Sequence, residues 1–389
     1  MIAVMKKPAG ALFEQDVRPL VAVFRSPVFN ASETFVRAQA AGLERYQPLV
    51  VGLEGKGHVP DALAGRVMLA DGPLERVMVR LGRWGRLRER VAAARPVIVH
   101  AQFGTDGVLA LPLARVLGVP LVTTLRGYEI NRRGLIRSGR LSWMRYALGR
   151  ERLKREGALF LAVCDALRQR AVAQGFPAER TLVHYNGVDL AAFPAAHEDD
   201  GETVLHVGRL VEKKGTALLL RAFARVPAGK LVIVGDGPLR ASLERLARHL
   251  GVAGRVRFLG AQPPETVAEW MRRAALLAVP SLTARDGDAE GLPNVVVEAA
   301  ASGLPVVGSS HAGVPEAVID GRTGFIVAEG EAEPLAVRIA DLLGDSALRR
   351  RMGAVGRALA EERFDLARQM RLLEQRYDEV TSSRAIATR

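Results

Sequence analysis

Residues 204–237 read VLHVGRLVEKKGTALLLRAFARVPAGKLVIVGDG, and the pattern of this stretch decides the fold. Val204–Val207 is a short apolar run of the kind buried on both faces of a sheet. Thr216–Arg225 carries apolar residues three and four apart, the spacing of a helix. Leu231–Val234 is a second apolar run, and both runs exit into glycine, at Gly208 and Gly235. Strand, crossover helix and strand of this length predict a parallel pair.

The same alternation extends in both directions. Towards the N-terminus, strands are predicted at Leu20–Phe24, Leu49–Leu53, Val97–Val99, Leu121–Leu125 and Leu159–Val163. Towards the C-terminus they are predicted at Val256–Leu259, Leu276–Val279 and Pro305–Val307, with a helix over Leu239–Leu250. Buried strands alternating with helices give parallel sheets covered on both faces. Two such sets imply an α/β chain of two doubly wound, Rossmann-like domains. The joint falls in the polar segment Ala195–Glu202, so the domains are read as 1–195 and 196–365, followed by 366–389. Leu348–Val380 reads as one long charged helix.

A chain of 389 residues accommodates two domains, and 49% hydrophobic residues are enough to build two cores. The single cysteine, Cys164, rules out an internal disulfide and points to a reducing, cytoplasmic setting. No apolar run is long enough to cross a membrane, and MIAVMKKPAG lacks the pattern of a signal peptide. Residues 1–195 hold 29 basic against 16 acidic residues, whereas residues 196–389 hold 26 of each. The whole charge of +13 therefore sits in the first half, which predicts an anionic partner there. With 5% aromatic residues and no nucleic-acid module, that partner is read as an anionic membrane surface or glycan acceptor rather than nucleic acid.

In open parallel sheets, ligands bind beyond the carboxyl ends of the strands. After Val207, Gly208 permits a tight exit, and Arg209, Lys213 and Lys214 converge near a helix start, a diphosphate site. The chain holds 7 lysines and 48 arginines, so two adjacent lysines suggest a need for compact point charge. After Val234, Gly235-Asp236-Gly237-Pro238 opens a helix but lacks the third glycine of a dinucleotide fingerprint, which disfavours a nicotinamide or flavin enzyme. The strongest local signal is Asp288–Gly308, DAEGLPNVVVEAAASGLPVVG. Glu290 precedes Gly291-Leu292-Pro293-Asn294, and Glu298 follows within an apolar run where a solvated glutamate is out of place. Two carboxylates beside a phosphate site suit ribose and hexose hydroxyls. Asp286-Gly287-Asp288 is an ordinary turn composition without His or Cys nearby, and no metal is expected.

These motifs together resemble the retaining GT-B glycosyltransferases of family 4, over nearly the whole chain. Glu290 and Glu298 match the family's E-x7-E signature, GRLVEKKG resembles its diphosphate loop at Arg209 and Lys214, and Asn186–Asp189 (NGVD) is similar to its turn before the linker. His311–Glu316 (HAGVPE) resembles its donor-side glycine loop. The resemblance implies two domains facing a central cleft and a final helix that crosses back to the first domain. It also implies metal-independent transfer from a nucleotide sugar, without a further cofactor. Arg209 and Lys214 would neutralise the leaving diphosphate, Glu290 would hold the donor sugar, and Glu298 the ribose; Gly208, Gly235 and Gly291 to Asn294 would line the nucleotide.

On the first domain the chain departs from the family. Thr124–Glu129 (TLRGYE) is similar to an HG-x-D segment, with Arg126 in the histidine's place and Glu129 in the aspartate's. Arginine is no base at neutral pH, though it can hold a diphosphate or sugar. His100–Gly104 (HAQFG) resembles a strand-end motif that often carries two histidines, of which His100 remains. Asn30–Phe35 (NASETF), with Ser32 as a plausible helix cap, resembles an acceptor loop of exopolysaccharide enzymes. The expected acceptor side comprises Ser32, Glu33, His100, Tyr128 and Glu129. Arg76–Arg95 holds seven arginines around Trp84, and Arg132–Arg155 adds Trp143 and Tyr146, a pattern that suits an anionic membrane surface. The leading expectation is an enzyme extending a lipid-linked oligosaccharide at the inner membrane face with a GDP- or UDP-linked sugar. A GT-B epimerase, or a sugar-nucleotide-binding protein that has lost catalysis, are the alternatives.

Overall fold

Among the described residues, thirteen short strands, all paired in parallel, organise the chain. The computed structural model describes residues 16–30, 33–57, 59–131, 141–194 and 198–387, with side chains as far as residue 382. The N-terminal residues, Ser32, part of the Arg132–Arg155 stretch and the start of the joint at Ala195 lie outside the described residues.

The chain forms two units. One comprises Met1–Val163, Leu167–Gly187 and Leu366–Arg389; the other comprises Cys164–Ala166 and Val188–Asp365. The first holds β1 (Leu20–Phe24), β2 (Gln47–Gly52), β3 (Val67–Leu69), β4 (Ile98–Ala101), β5 (Leu121–Leu125), β6 (Leu159–Ala162) and β7 (Thr181–Val183). They run in the order β3-β2-β1-β4-β5-β6-β7. The second holds β8 (Thr203–Val207), β9 (Lys230–Val234), β10 (Val256–Gly260), β11 (Leu276–Val279), β12 (Val306–Ser309) and β13 (Gly324–Val327), in the order β10-β9-β8-β11-β12-β13. Each sheet is doubly wound, with strand order reversing beside β1 and beside β8, where such sheets place their ligands.

The predicted strands are present, and β3, β7 and β13 are additional. In the second unit, β8, β9, β11 and β12 bury Val204, Leu231, Ile233, Leu276, Ala278 and Val307 beneath the helices Thr216–Phe223 and Ala332–Gly344. In the first, Val21, Val23, Ile98 and Val122 pack against Met370, Leu373 and Tyr377 of the helix Leu366–Ala387. That helix is pinned by Glu374, whose carboxylate accepts from the backbone N–H groups of Glu44, Arg45 and Tyr46 at 2.8, 2.7 and 3.2 Å.

Two expectations are corrected. Leu348–Val380 is not one helix: it divides into Ser346–Arg363 and Leu366–Ala387. At the break Phe364 leaves helical geometry, with φ −122°, and its carbonyl accepts from Val188 N–H at 2.8 Å. Arg76–Arg95 likewise divides, into Gly72–Arg80 and Gly85–Ala93, around Gly82 at φ 81°. Trp84 is 4% exposed, and its indole N–H donates to Leu109 O at 3.1 Å. Trp143 and Tyr146 are buried as well. The aromatic residues read as membrane-facing therefore belong to the core, and Leu74, Val77, Leu81 and Leu148 are exposed in their stead.

Candidate functional site

The second unit brings its predicted loops together at the carboxyl ends of β8, β9 and β11. Gly235, at φ 134°, leaves β9 so close to β8 that a Cβ would lie 2.0 Å from Gly208 O. Gly215, at φ 65°, opens the helix Thr216–Phe223 where a Cβ would lie 1.8 Å from Pro280 O. These positions admit only glycine, and the close approach sets the two lysines before Gly215 against the loop after β11. A Cβ on Gly208 would touch the Lys214 stem at 3.3 Å, so the stem lies across the glycine.

Lys213 Nζ lies 3.1 Å from Asp288 and 3.3 Å from Glu290, and Lys214 Nζ lies 3.3 Å from Glu290. Burial pushes the Glu290 carboxyl up, but Lys214 and Lys213 outweigh it and hold the group at about 2, ionised. Its backbone N–H donates to His311 Nε2 at 3.3 Å, which places the ring proton on Nδ1, facing Glu329 Oε2 at 2.8 Å. Gly291 O accepts from Gly313 N–H at 2.9 Å, and Leu292 is buried. Pro293 precedes the helix Asn294–Ala301, on which Glu298 stands.

Glu298 behaves differently from Glu290. It is only partly exposed, and no hydrogen bond or ion pair reaches its carboxyl among the described residues. Burial pushes it up to about 7, against the pull of Lys214. Arg209 is exposed and makes no ion pair among the described residues. The unit thus combines an ionised carboxylate locked by two ammonium groups, a near-neutral carboxyl and a free guanidinium. Lys213 is the residue that sequence reasoning underused; its partner Asp288, two positions before Glu290, was the available signal.

The acceptor-side residues of the first unit are more deeply built in. Glu33 accepts from Arg25 at 2.6 and 2.8 Å, and Arg25 also donates to Asp106 at 3.0 Å. Arg25 is 8% exposed, and its guanidinium lies 4.1 Å from the Phe103 ring centroid. Burial holds Asp106 up at about 6 despite Arg25. Neither Arg25 nor Asp106 was singled out from the sequence, where 81 positions separate them.

Glu129 is 1% exposed, and one oxygen accepts from the backbone N–H groups of Arg126 and Gly104 at 2.8 and 3.2 Å. That oxygen fastens two strand exits together, and the other is buried without a hydrogen-bond partner. Tyr128 rests on Phe103, with its hydroxyl 3.4 Å from Thr105 Oγ1. His100 is corrected more sharply. It is wholly buried, with Nδ1 2.6 Å from the Tyr377 hydroxyl and Nε2 2.8 Å from Thr124 Oγ1. Burial pushes it down to about 3, so it is neutral and both nitrogens are occupied. Ser32 lies outside the described residues.

Arg126 stands at the exit of β5. Its Nε and Nη2 donate to Gln102 O and Oε1 at 3.0 and 2.7 Å, and Nη1 donates to Asn186 Oδ1 at 2.8 Å. The guanidinium stacks 4.0 Å from the Phe35 centroid. Burial pushes it below the usual arginine range. Among the described residues no three His, Cys, Asp or Glu side chains cluster as metal ligands, and no helix is long and apolar enough to cross a membrane.

Comparison with known proteins accords with this arrangement. Residues 189–359 match the pattern of "Glycosyl transferases group 1", and residues 32–192 that of "Glycosyltransferase Family 4". The chain is 32% identical over 253 residues to the amylovoran biosynthesis glycosyltransferase AmsK of Erwinia amylovora, covering 63% of this chain and 60% of that protein. The chain thus spans about 60% of the length of the first relatives it matches. It is 34% identical over 277 residues to a GDP-mannose-dependent alpha-(1-6)-phosphatidylinositol monomannoside mannosyltransferase of Mycolicibacterium smegmatis, covering 66% of this chain and 70% of that one. Among solved structures, Anabaena Alr3699/HepE in complex with UDP-glucose superimposes with a TM-score of 0.76 at 22% identity, over 92% of this chain and 99% of that chain. The shared fold is GT-B, built of two Rossmann-like α/β domains. With two parallel sheets, a Glu290–Glu298 pair beside paired lysines, and these matches, the chain belongs to the family 4, or group 1, glycosyltransferases.

Proposed function

We propose that the chain transfers a hexosyl group, with retention and without a metal, from a nucleoside diphosphate sugar to a lipid-linked oligosaccharide in polysaccharide assembly. The observation that carries this reading is the asymmetry of the two glutamates in the second unit. Glu290 is ionised and held by Lys213 and Lys214, whereas Glu298 is near-neutral and unpartnered. A diphosphate at Lys214 and Arg209 competes with the Lys214–Glu290 ion pair and releases that carboxylate to accept from donor-sugar hydroxyls. Glu298 then takes the ribose hydroxyls, and Gly208, Gly235 and Gly291 to Asn294 let the backbone approach the nucleotide. Two side-chain cations supply the charge that stabilises the leaving diphosphate, which is the largest contribution in such a step. On the first unit, Arg126 is a further fixed cation of this reading.

Three relatives support the substrate class. One is described as acting in amylovoran biosynthesis, one as GDP-mannose-dependent, and HepE is seen in complex with UDP-glucose. GDP- and UDP-linked hexoses are accordingly the donors to test. The acceptor belongs to the first unit, with Glu33, Tyr128 and Glu129 shaping its strand exits. Exposed Leu74, Val77, Leu81 and Leu148 stand among that unit's arginines, which suits peripheral association with the anionic cytoplasmic face of a membrane. Calorimetric titration with UDP and GDP, with and without magnesium, tests the donor site. One nucleotide is expected to bind in the micromolar range without magnesium, and Lys214→Ala to weaken it about 100-fold, the loss of a charge-assisted contact worth ~2–3 kcal/mol. Binding that Lys214→Ala leaves intact would overturn the assignment.

A further inference from the structure

Arg126 is a cation that the fold desolvates without pairing. Every acceptor it meets is neutral: the Gln102 carbonyl and amide oxygen, and the Asn186 amide oxygen. Neither nearby acid forms an ion pair with it: both Glu33 oxygens accept from Arg25, and one Glu129 oxygen accepts from two backbone N–H groups while the other is buried without a hydrogen-bond partner. Burial also raises the Glu129 carboxyl, so it takes a proton more readily than an ordinary glutamate and repels an anion less. Removing a guanidinium from water without a counter-charge is costly, and proteins retain such groups where an anion completes them.

The neighbours repeat the imbalance. Gln102 is wholly buried, and its Nε2 has no acceptor, while its Oε1 is fixed by Arg126. His184, 6% exposed, leaves Nε2 without a partner, and burial together with the Arg126 charge keeps the ring neutral. Arg126 itself has five N–H donors, of which three are used. The unused N–H groups of Arg126 and Gln102 thus lie at the carboxyl ends of β4 and β5, beside the half-buried Phe35. This is the edge of a parallel sheet where ligands bind.

We propose that Arg126 and Gln102 form an oxyanion-binding centre on the first unit, which recognises a carboxylate or phosphate carried by the acceptor sugar. A planar guanidinium fixed by Phe35 stacking and two amides presents a fork suited to either group. The proposal deepens the glycosyl-transfer reading by naming the acceptor chemistry, and it rests on that reading for the word acceptor only. A neutral hexose would leave the donors unmet, whereas a uronic acid or a sugar phosphate satisfies them.

The test uses the full chain carrying Arg209→Ala and Lys214→Ala, so that the donor site contributes nothing and its failure is read separately. Glucuronate, glucose 1-phosphate and glucose are titrated by ligand-observed NMR. At least one of the two anions is expected to bind about tenfold more tightly than glucose, and the preferred one tells a carboxylate acceptor from a phosphate one. Arg126→Gln should abolish the preference. Gln102→Glu is the sharper variant because it supplies an internal counter-charge to Arg126: it should raise the melting temperature and also remove the preference. Equal binding of all three sugars overturns the proposal. So does an anion preference that survives both variants, or a Gln102→Glu protein that is stabilised yet binds the anion as before.

Discussion

The first strand of each sheet ends in basic chemistry, but the two units handle it oppositely. After β1 the chain places Arg25 directly against the sheet, where Glu33, Asp106 and the Phe103 ring enclose it. After β8 it places Gly208, and Arg209 beyond it stays exposed. A glycine exit leaves room for the Lys214 stem, and two ammonium groups sit on one carboxylate in pairs that a phosphate can exchange. Around Arg25 the charge is enclosed and paired; at Arg209 it is available. The same strand order therefore supports a rigid face and an adaptable one. The difference lies in whether the residue after the strand has a side chain.

The comparison breaks most visibly at its cations. Arg25→Ala strands the Glu33 and Asp106 carboxyls in a buried site, and losing one partner of such a network costs ~3–5 kcal/mol. Arg209→Ala removes an exposed, unpaired side chain and should change stability by less than ~0.5 kcal/mol. Urea unfolding followed by tryptophan fluorescence checks both, since Trp84 and Trp143 lie in the core of the first unit. Equal effects of the two substitutions would mean that the Arg25 cluster is not the support described here.

What could be read from the sequence divides along the same line. Strands whose apolar runs are uninterrupted, such as Leu121–Leu125 and Leu276–Val279, were legible to the residue. β3 and β7 were not, because three residues hold too little pattern, and β13 was not because it starts with Gly324, whose Cβ would lie 2.0 Å from Val306 O. The break at Phe364 was invisible because the contact made there, with Val188 N–H, is remote in the chain. Trp84 and Trp143 were misplaced because amphipathic spacing does not say which face meets the core. The gathering of Lys213, Lys214 and Glu290 was legible because these residues follow strands in glycine-bearing segments. Arg25–Asp106 and Arg126–Gln102 arise from pairs of strand exits, and only the fold joins them.

Glu290 is where the exchange of charge can be sharpened. Glu290→Gln keeps the shape but removes the partner of both lysines, so turnover should fall about 100-fold, or ~2.7 kcal/mol. Nucleotide affinity should hold or rise, because Lys214 no longer has a carboxylate to leave. Steady-state kinetics beside calorimetry separates the two, and a parallel loss of both would place Glu290 in folding rather than in sugar recognition.

The smallest effect is the most specific to one group. Glu298 rises in the folded chain from the ordinary glutamate value of 4.5 to about 7, because burial disfavours its charge. Between those values the folded state holds a proton that the unfolded state has released, so stability falls as pH rises through the window. One pKa unit corresponds to ~1.4 kcal/mol, and partial solvation of the site trims the total to about 2 kcal/mol above pH 7. Glu298→Gln cannot ionise and should erase this slope. It should match the parent near pH 4, exceed it in stability near pH 8, and bind nucleotide more weakly through the lost ribose contact. Urea midpoints at the two pH values decide the matter: a variant that follows the parent at both would show that Glu298 meets more water than its surroundings indicate.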